Sequence, residues 1–307
     1  MVISGGSRGL GLAMAREFAR HGAYLALLAR DKEELQRAAN DLLHFNAQVS
    51  TWPCDVKEPH EVEQAISAIA EKHARIDVLV NNAGIMLVAP LDAMVKGDFE
   101  EAMQIHFWAP YHVTMAALPY LRRNTESRIV NISSIGGRVA VPHMAPYCAS
   151  KFALAGFSDA LRAEVARQGV RVTTVAPGLM RTGSHVNETF KGDYAKEFTW
   201  FSVGAGMPFL SINAERAARQ IVAAARRGQP ALTLTIPARC LIFAQAIMPN
   251  LLARILQLVN VLLPKNEVGR GLVRQKGYQS LSAWAPSLLT VLADQAAPLY
   301  NEGPQPR

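Results

Sequence analysis

The chain is predicted to fold as a doubly wound parallel α/β sheet, because short apolar runs alternate with amphipathic stretches up to about residue 230. Strands that alternate with helices imply right-handed crossovers, which place helices on both faces of a parallel sheet. A glycine-rich turn after the first short apolar run supports the same architecture. Beyond residue 230 the alternation weakens, and the sequence predicts a helical C-terminal extension.

The individual elements follow from length and periodicity. Buried strands are predicted at residues 24–29, 76–80, 128–132 and 170–175. Helices are predicted at residues 12–21, 32–46, 59–74, 99–123 and 146–168. Residues 301–307 carry two prolines and a glycine and are predicted to be frayed.

Composition limits the classes of function. With 307 residues, 50% of them hydrophobic, the chain can form one large α/β domain or two small ones. Cys54, Cys148 and Cys240 have no paired spacing, so we expect no disulfide framework, no metal site and a cytoplasmic location. The net charge of +7 is spread along the chain, which argues against nucleic-acid binding and fits an anionic cofactor. Because no basic region and apolar stretch of signal length follow Met1, we do not expect a signal peptide there.

The glycine-rich turn from Ser4 to Gly11 separates a short apolar strand from a helix. Glycines allow close approach of a pyrophosphate, and the helix N-terminus offers N–H groups and a positive dipole. Alone, this pattern also fits a tight structural turn. Its position favours dinucleotide binding, with candidate contacts at Gly5, Ser7, Arg8, Gly9, Leu10 and Gly11.

The end of the second strand indicates which dinucleotide is bound. Sites for NAD(H) usually place an acid there, whereas this chain has Ala29 followed by Arg30. Arg30 and Arg8 together suit a 2′-phosphate, so the sequence predicts NADP(H). The alternative is that Arg30 is a solvated loop residue.

Tyr147 and Lys151 are four residues apart on a predicted helix and therefore share one face. A nearby ammonium favours the phenolate, so Tyr147 is expected to have a lowered pKa and to act as acid or base. Ser134 ends a predicted strand and offers a hydroxyl to a substrate oxygen. A Tyr-x-x-x-Lys pair alone is a common coincidence.

Taken together, these motifs resemble those of the short-chain dehydrogenase/reductase family, in order from Met1 to about Gly228. The resemblance identifies the single-domain branch, by its Gly-x-x-x-Gly-x-Gly spacing, and implies a Rossmann-type fold and a dimer or tetramer. It implies that Tyr147 is the general acid in reduction, that Lys151 lowers its pKa and binds ribose, and that Ser134 orients the carbonyl. Further contacts that it implies to the cofactor are Asp55 and Val56 at the adenine, Asn82, Ala83 and Gly84 after the fourth strand, and Pro177, Gly178 and Thr182 beside the nicotinamide.

The chain departs from the family pattern at two places. His106 stands where the family usually has an asparagine that holds a water of the proton relay. His106 either holds that water or relays a proton itself, or it is a packing residue. The first strand has three residues before Ser4, fewer than in most relatives, and an upstream start codon would explain this.

Two segments bear on the substrate. Residues 183–212 are predicted to be a lid, whose aromatic residues fit either an apolar substrate or ordinary packing. Residues 238–263 are apolar but interrupted, which predicts an amphipathic helix on a membrane surface or a pair of helices over the cleft or in a dimer interface. Cations that follow, up to residue 276, suit an anionic membrane; they are Lys265, Arg270, Arg274 and Lys276.

The sequence therefore predicts a Rossmann-type NADP(H)-binding catalytic domain at residues 1–235 and a helical extension at 236–307. The leading function is reduction of a carbonyl, or oxidation of an alcohol, on a small and apolar substrate. One alternative is a non-catalytic NADP(H)-binding regulator on the same fold. Another is a reductase that acts on lipids at a membrane surface, through contact by residues 238–276.

Overall fold

The computed structural model describes residues 1–265 and 273–303. Residues 266–272 and 304–307 lie outside this description. Arg270, one of the cations predicted to suit an anionic membrane, is among them. The strands follow in chain order as β1 (Val2–Ser4), β2 (Leu25–Ala29), β3 (Val49–Pro53), β4 (Val78–Asn81), β5 (Leu87–Val88), β6 (Ser127–Ile132), β7 (Val170–Ala176), β8 (Leu179–Arg181), β9 (Thr189–Phe190), β10 (Ser211–Asn213), β11 (Ala231–Thr233) and β12 (Gln275–Lys276).

Seven of these strands form the central sheet, in the order β11-β7-β6-β4-β1-β2-β3. Every neighbouring pair is parallel, which confirms the predicted doubly wound sheet. The chain runs from β1 outward to β2 and β3, and then returns to β4 on the other side of β1. In open α/β sheets, such a switch point leaves a ligand crevice at the carboxyl ends of the strands.

The helices cover both faces of this sheet. They are α1 (Gly9–Arg20), α2 (Lys32–Leu43), α3 (Pro59–His73), α4 (Lys96–Met103), α5 (Ala109–Leu121), α6 (Ala145–Val165), α7 (Tyr194–Gly206), α8 (Ala214–Arg227), α9 (Ile236–Ile247), α10 (Pro249–Leu262), α11 (Val291–Asp294) and α12 (Ala296–Leu299). Side chains of α1, α2 and α8 share one buried core with the sheet, and those of α3, α5 and α6 share the other.

The predicted helix at residues 99–123 is interrupted. Between α4 and α5, residues Gln104–Trp108 form a π-helical turn. Pro110 lacks the N–H that would donate to the carbonyl of residue 106, which explains why the α-helical ladder is broken there. The turn carries His106 into the protein interior, where 1% of its surface is exposed.

The apolar stretch at residues 238–263 forms a pair of helices, α9 and α10, rather than one helix. Pro249 begins the second helix, since proline is tolerated in the first turn of a helix and not in its interior. Ala238 and Leu252 are buried, while large apolar side chains of both helices are exposed. Within the described residues, no helix has both the length and the apolarity to cross a membrane.

The prediction of a frayed C-terminus is wrong for Asn301 and Glu302. Asn301 makes side-chain hydrogen bonds, and Glu302 is 4% exposed. Both residues lie against the glycine-rich turn at the other end of the chain. A sequence pattern of proline and glycine reports local backbone preference and cannot show such a long-range contact.

Candidate active site

A cleft of about 1020 Å³ opens at the carboxyl ends of the central strands. The structure brings nearly all of the predicted site residues to its walls, and Gly11 packs beneath the turn instead. The predicted residues that line the cleft are Gly5, Ser7, Arg8, Gly9, Leu10, Arg30, Asp55, Val56, Asn82, Ala83, Gly84, His106, Ser134, Tyr147, Lys151, Pro177, Gly178 and Thr182.

The glycine-rich turn connects β1 to α1 in a conformation that requires glycine. Gly9 has a φ of +55°, and a Cβ built on Gly11 would lie 1.9 Å from the carbonyl oxygen of Gly5. Asn82 fixes the turn from the side, because its Nδ2 donates to the carbonyls of Ser4 (3.2 Å) and Gly5 (3.0 Å). Asn82, which directly follows β4, thus helps to fix the conformation of the turn.

Arg8, the cationic residue of the glycine-rich turn, lies close to two glutamates. Arg8 Nη1 lies 3.4 Å from Glu34, and its Nε lies 3.6 Å from Glu302. Burial lowers the pKa of Arg8, but the charges of Glu302 and Glu34 outweigh it and leave that pKa above its ordinary value. Arg30, by contrast, is exposed at the end of β2. Sequence reasoning missed both glutamates, since neither belongs to a recognisable motif.

Tyr147, Lys151 and Ser134 are placed by two elements that meet at the cleft. Helix α6 carries Tyr147 and Lys151 in its first two turns, and Ser134 follows β6. The Oγ of Ser134 accepts from the N–H of Gly136 at 3.0 Å, which orients the hydroxyl. Lys151 Nζ donates to the carbonyl of Ile132 at 2.9 Å and lies 5.7 Å from the centre of the Tyr147 ring.

The pKa of Tyr147 is raised in this structure, opposite to the lowering expected from the sequence. Burial raises the pKa of Tyr147, and a hydrogen bond with Ser134 opposes that shift in part. Burial also lowers the pKa of Lys151 to about 7, against the charge of Glu188. Both shifts have the same cause, because a low-dielectric site disfavours the phenolate as well as the ammonium.

His106 uses both ring nitrogens within the protein. Its Nε2 accepts from the N–H of Ile85 at 3.1 Å, and its Nδ1 lies 2.8 Å from the Oγ of Ser150. The His106 ring also meets the Tyr147 ring edge-on, with centroids 5.3 Å apart. This arrangement favours the packing interpretation of His106 over direct proton relay.

At the two ends of the cleft, backbone contacts position further predicted residues. At the end toward β3, Asp55 accepts from the N–H of Lys57 at 3.1 Å. At the other end, the carbonyl of Pro177 accepts from the N–H of Ile135 at 2.7 Å, and the hydroxyl of Thr182 accepts from Ser184 at 3.3 Å.

The aromatic residues of the predicted lid lie in three environments: a buried cluster, the wall of the cleft and the exposed surface. Phe190 and Phe198 are buried in a third apolar cluster with Met144 and Cys148, which is ordinary packing. Trp200 and Phe201 line the cleft. Phe209 is 89% exposed. The lid also supplies a residue that sequence reasoning missed, Glu188, whose pKa is raised to about 8 by burial and by the charge of Glu302.

Comparison with known proteins agrees with this geometry. The family model described as short chain dehydrogenase matches residues 1–191. A dehydrogenase/reductase SDR family protein 7-like of Anopheles gambiae is 37% identical over 193 residues. That match spans 61% of this chain and 61% of the relative, so more than a third of each lies outside it.

Two solved structures share the fold. A metagenomic short-chain oxidoreductase in complex with NADP is 27% identical, with a TM-score of 0.62, over 77% of this chain and 95% of that one. The L-sorbose reductase from Gluconobacter frateurii, complexed with NADPH and L-sorbose, is 25% identical with a TM-score of 0.68. That match covers 76% of this chain and 94% of the reductase.

Proposed function

Because the chain belongs to the short-chain dehydrogenase family, we propose that it is an NADP(H)-dependent oxidoreductase. It transfers a hydride between the nicotinamide and a carbonyl or alcohol carbon of a small, apolar substrate. The observation that carries this proposal is the convergence of Ser134, Tyr147 and Lys151 on the same cleft as the glycine-rich turn. The NADP and NADPH bound in the two solved relatives support the choice of cofactor.

The residues present fit a phosphorylated dinucleotide. Gly5 and Gly9 of the turn line the cleft, and Arg8 and Arg30 supply two guanidinium groups to its wall. These residues would hold the phosphates. Asp55 and Val56 would contact the adenine, and Pro177, Gly178 and Thr182 would border the nicotinamide. The cleft volume of about 1020 Å³ leaves room for a substrate as well.

When bound, NADPH supplies the hydride, and the protein supplies orientation and a proton. Tyr147 donates its phenolic proton to the carbonyl oxygen as that oxygen gains charge, and Ser134 holds the same oxygen by a hydrogen bond. In the oxidation direction, Tyr147 accepts the proton. Since the phenolate is disfavoured by burial, Tyr147 needs a cation beside it to act as a base.

Lys151 is the group that can supply this cation. Burial lowers its pKa to about 7, so that it is only partly charged near neutral pH. An anion bound in the same cleft favours the ammonium form. Cofactor binding is therefore expected to charge Lys151 and thereby to lower the pKa of Tyr147.

Apolar side chains that line the cleft support an apolar substrate. Val141, Met144, Trp200, Phe201 and Leu241 line the same cleft as Tyr147 and Ser134. Burial of apolar substrate surface against these groups is worth about 25 cal/mol per Å². A polar group placed against these apolar side chains would lose its hydration without gaining a hydrogen bond from them.

The test is NADPH oxidation by the purified chain across medium- and long-chain ketones and aldehydes, with NADH in parallel. Tyr147→Phe should lower kcat at least about a hundredfold, the usual size of a lost general acid, while NADPH still binds. Tyr24→Phe is the matched control, because Tyr24 is exposed and lies outside the cleft. Unchanged turnover in Tyr147→Phe would refute the mechanism. NADPH binding without turnover on any substrate would favour the non-catalytic regulator.

The exposed helix pair α9–α10 supports a second candidate function, reduction of lipids at a membrane surface. From Ile236 to Lys265 the sequence has no Asp or Glu, and it carries Arg239, Arg254 and Lys265. Ile236, Phe243, Leu258, Val261 and Leu262 are each at least 65% exposed. Exposed apolar side chains with nearby cations fit an anionic lipid surface.

The same helices border the cleft through Pro237, Ala238, Leu241 and Leu256. A lipid surface held by α9–α10 would thus lie beside the cleft, which shortens the path of an apolar substrate from the membrane to the site. Self-association through this face is the competing interpretation, in line with the dimer or tetramer expected from the family.

Sedimentation with vesicles of phosphatidylcholine, with and without phosphatidylserine, tests this candidate. Binding should require phosphatidylserine and fall at least about tenfold in a Leu258→Gln, Leu262→Gln double variant. A Leu43→Gln, Leu91→Gln double variant is the control, since these two leucines are 64% and 65% exposed and lie outside the helix pair. Absence of binding, with a dimer that the first double variant dissociates, would overturn the membrane candidate.

A further inference from the structure

The C-terminal segment, Ala296–Gly303, returns to the glycine-rich turn at the start of the chain. The carbonyl of Tyr300 accepts from the N–H of Gly9 at 2.8 Å, at the first residue of α1. The side chain of Asn301 donates to the carbonyls of Ser7 (3.0 Å) and Glu34 (3.1 Å). Tyr300 is itself buried in the core beside α1. The segment is therefore held in place by contacts on both sides of the turn.

These contacts place the Glu302 carboxylate on the backbone of the turn. A Cβ built on Gly9 would lie 2.7 Å from Glu302 Oε1, so the carboxylate occupies the space that the glycine leaves open. Glu302 Oε2 lies 3.6 Å from Arg8 Nε and accepts from Asn187 Nδ2 at 2.6 Å. An anionic group thus sits against the N-terminus of α1, beside a guanidinium and an amide.

Under the proposed function, on which this inference rests, Arg8 and the N-terminus of α1 bind phosphates of NADP(H). A carboxylate and a phosphate make the same charge-assisted hydrogen bonds to a guanidinium and to helix N-terminal amides. The Glu302 carboxylate and a bound phosphate cannot both occupy this site at low cost, because the two anions would repel each other. We propose that Glu302 competes with the cofactor phosphates for Arg8 and the N-terminus of α1, so that the C-terminal segment weakens NADP(H) binding.

The charges around Glu302 are consistent with such a competitor. Glu34 on α2 and Glu188 in the lid add negative charge near the same site, and Arg8, Lys276 and His185 oppose it. Burial raises the pKa of Glu302, and the charge of Arg8 and the hydrogen bond from Asn187 oppose that shift in favour of the carboxylate. Binding of phosphates would release Arg8 from Glu302 and let the carboxylate move toward water.

The experiment is a titration of the full chain with NADPH, followed by tryptophan quenching. Glu302→Gln keeps the size of the side chain and its hydrogen bonding but removes the charge. We expect its Kd for NADPH to be about tenfold lower than that of the unmodified chain. Asn301→Ala loosens the segment from Ser7 and Glu34 and should act in the same direction. Glu164→Gln, an exposed glutamate of α6, should leave the Kd unchanged.

The outcomes separate this inference from the proposed function. An equal or higher Kd in Glu302→Gln, with normal NADPH binding by the unmodified chain, would overturn the competition and leave the oxidoreductase proposal intact. A higher Kd in Glu302→Gln would indicate instead that the C-terminal segment contributes favourable contacts to NADPH binding. Lack of NADPH binding by the unmodified chain and by every variant would overturn both proposals.

Discussion

The Nδ1 of His106 lies 2.8 Å from the Oγ of Ser150, on the opposite side of the ring from the nitrogen that contacts Ile85. Because Nε2 accepts the N–H of Ile85, it carries no proton, so Nδ1 carries the proton and donates it to Ser150. Burial, and then the charge of Lys151, lower the pKa of His106 well below its ordinary value, although the bond from Ile85 opposes this. His106 is therefore neutral in the native state at physiological pH.

A neutral buried histidine makes stability depend on pH in a defined direction. Below pH 6.5 the unfolded chain protonates this histidine and the native state does not, so stability falls with falling pH. His106→Asn removes that difference and keeps an acceptor for Ile85. Between pH 7.5 and 5.5 the variant should lose about 1.4 kcal/mol less unfolding free energy than the unmodified chain. Urea unfolding at both pH values measures this, and parallel losses would contradict it.

The lid is fastened by a buried ion pair between Lys191 and Asp98. The side chains of Lys191 and Asp98 are 3% and 0% exposed, and Lys191 Nζ lies 2.6 Å from Asp98 Oδ2. Arg274 forms a second ion pair with Asp98. Asp98→Asn should destabilise the chain by about 3 kcal/mol, because it leaves the Lys191 ammonium buried without a counter-charge. Glu100→Gln, which breaks an exposed pair with Lys96, should cost less than about 1 kcal/mol. Similar urea midpoints for the two variants would show that the buried pair contributes little.

The fold and most of the cleft were predictable because their signals are local. The apolar run that contains β7, or the glycines between β1 and α1, can be recognised within about ten residues. The carboxyl ends of parallel strands meet at one edge of a sheet, so Ser134, Asn82 and the glycine-rich turn were bound to come together. Tyr147 and Lys151 are four residues apart on one helix, so their position on the same helix face was also predictable.

The features that the sequence did not predict are contacts between residues that are far apart along the chain. Glu302 meets Arg8 across nearly the whole chain, and Lys191 meets Asp98 between the lid and α4. No periodicity or motif encodes such pairs. The pKa of Tyr147 was predicted in the wrong direction for a related reason, since spacing shows the nearby lysine and does not show how deeply both groups are buried.

Gly11 is a position where added volume should disable the site. A methyl group there would meet the Gly5 carbonyl at 1.9 Å and Asn82 Nδ2 at 2.8 Å, so the turn would have to move. We expect Gly11→Ala to cost about 2 kcal/mol of stability and to abolish NADPH binding. Gly156→Ala is the control, because nothing lies within 4 Å of its Cβ and alanine favours the α6 helix by about 1 kcal/mol. Normal NADPH binding by Gly11→Ala would show that the turn is more adaptable than its geometry indicates.

Arg30 should discriminate between the two nicotinamide cofactors more strongly than Arg8. The guanidinium of Arg8 is shared with Glu34 and Glu302, whereas Arg30 is exposed at the end of β2 and borders the cleft. A charge-assisted contact with a 2′-phosphate is worth about 2 kcal/mol, so Arg30→Ala should raise the KM for NADPH about thirtyfold. The KM for NADH, which lacks that phosphate, should stay within about twofold. Arg219→Ala, an exposed arginine of α8, controls for the loss of one positive charge. Equal increases for both cofactors would mean that Arg30 supports the strand end rather than the phosphate, and NADP(H) selection would then rest on Arg8.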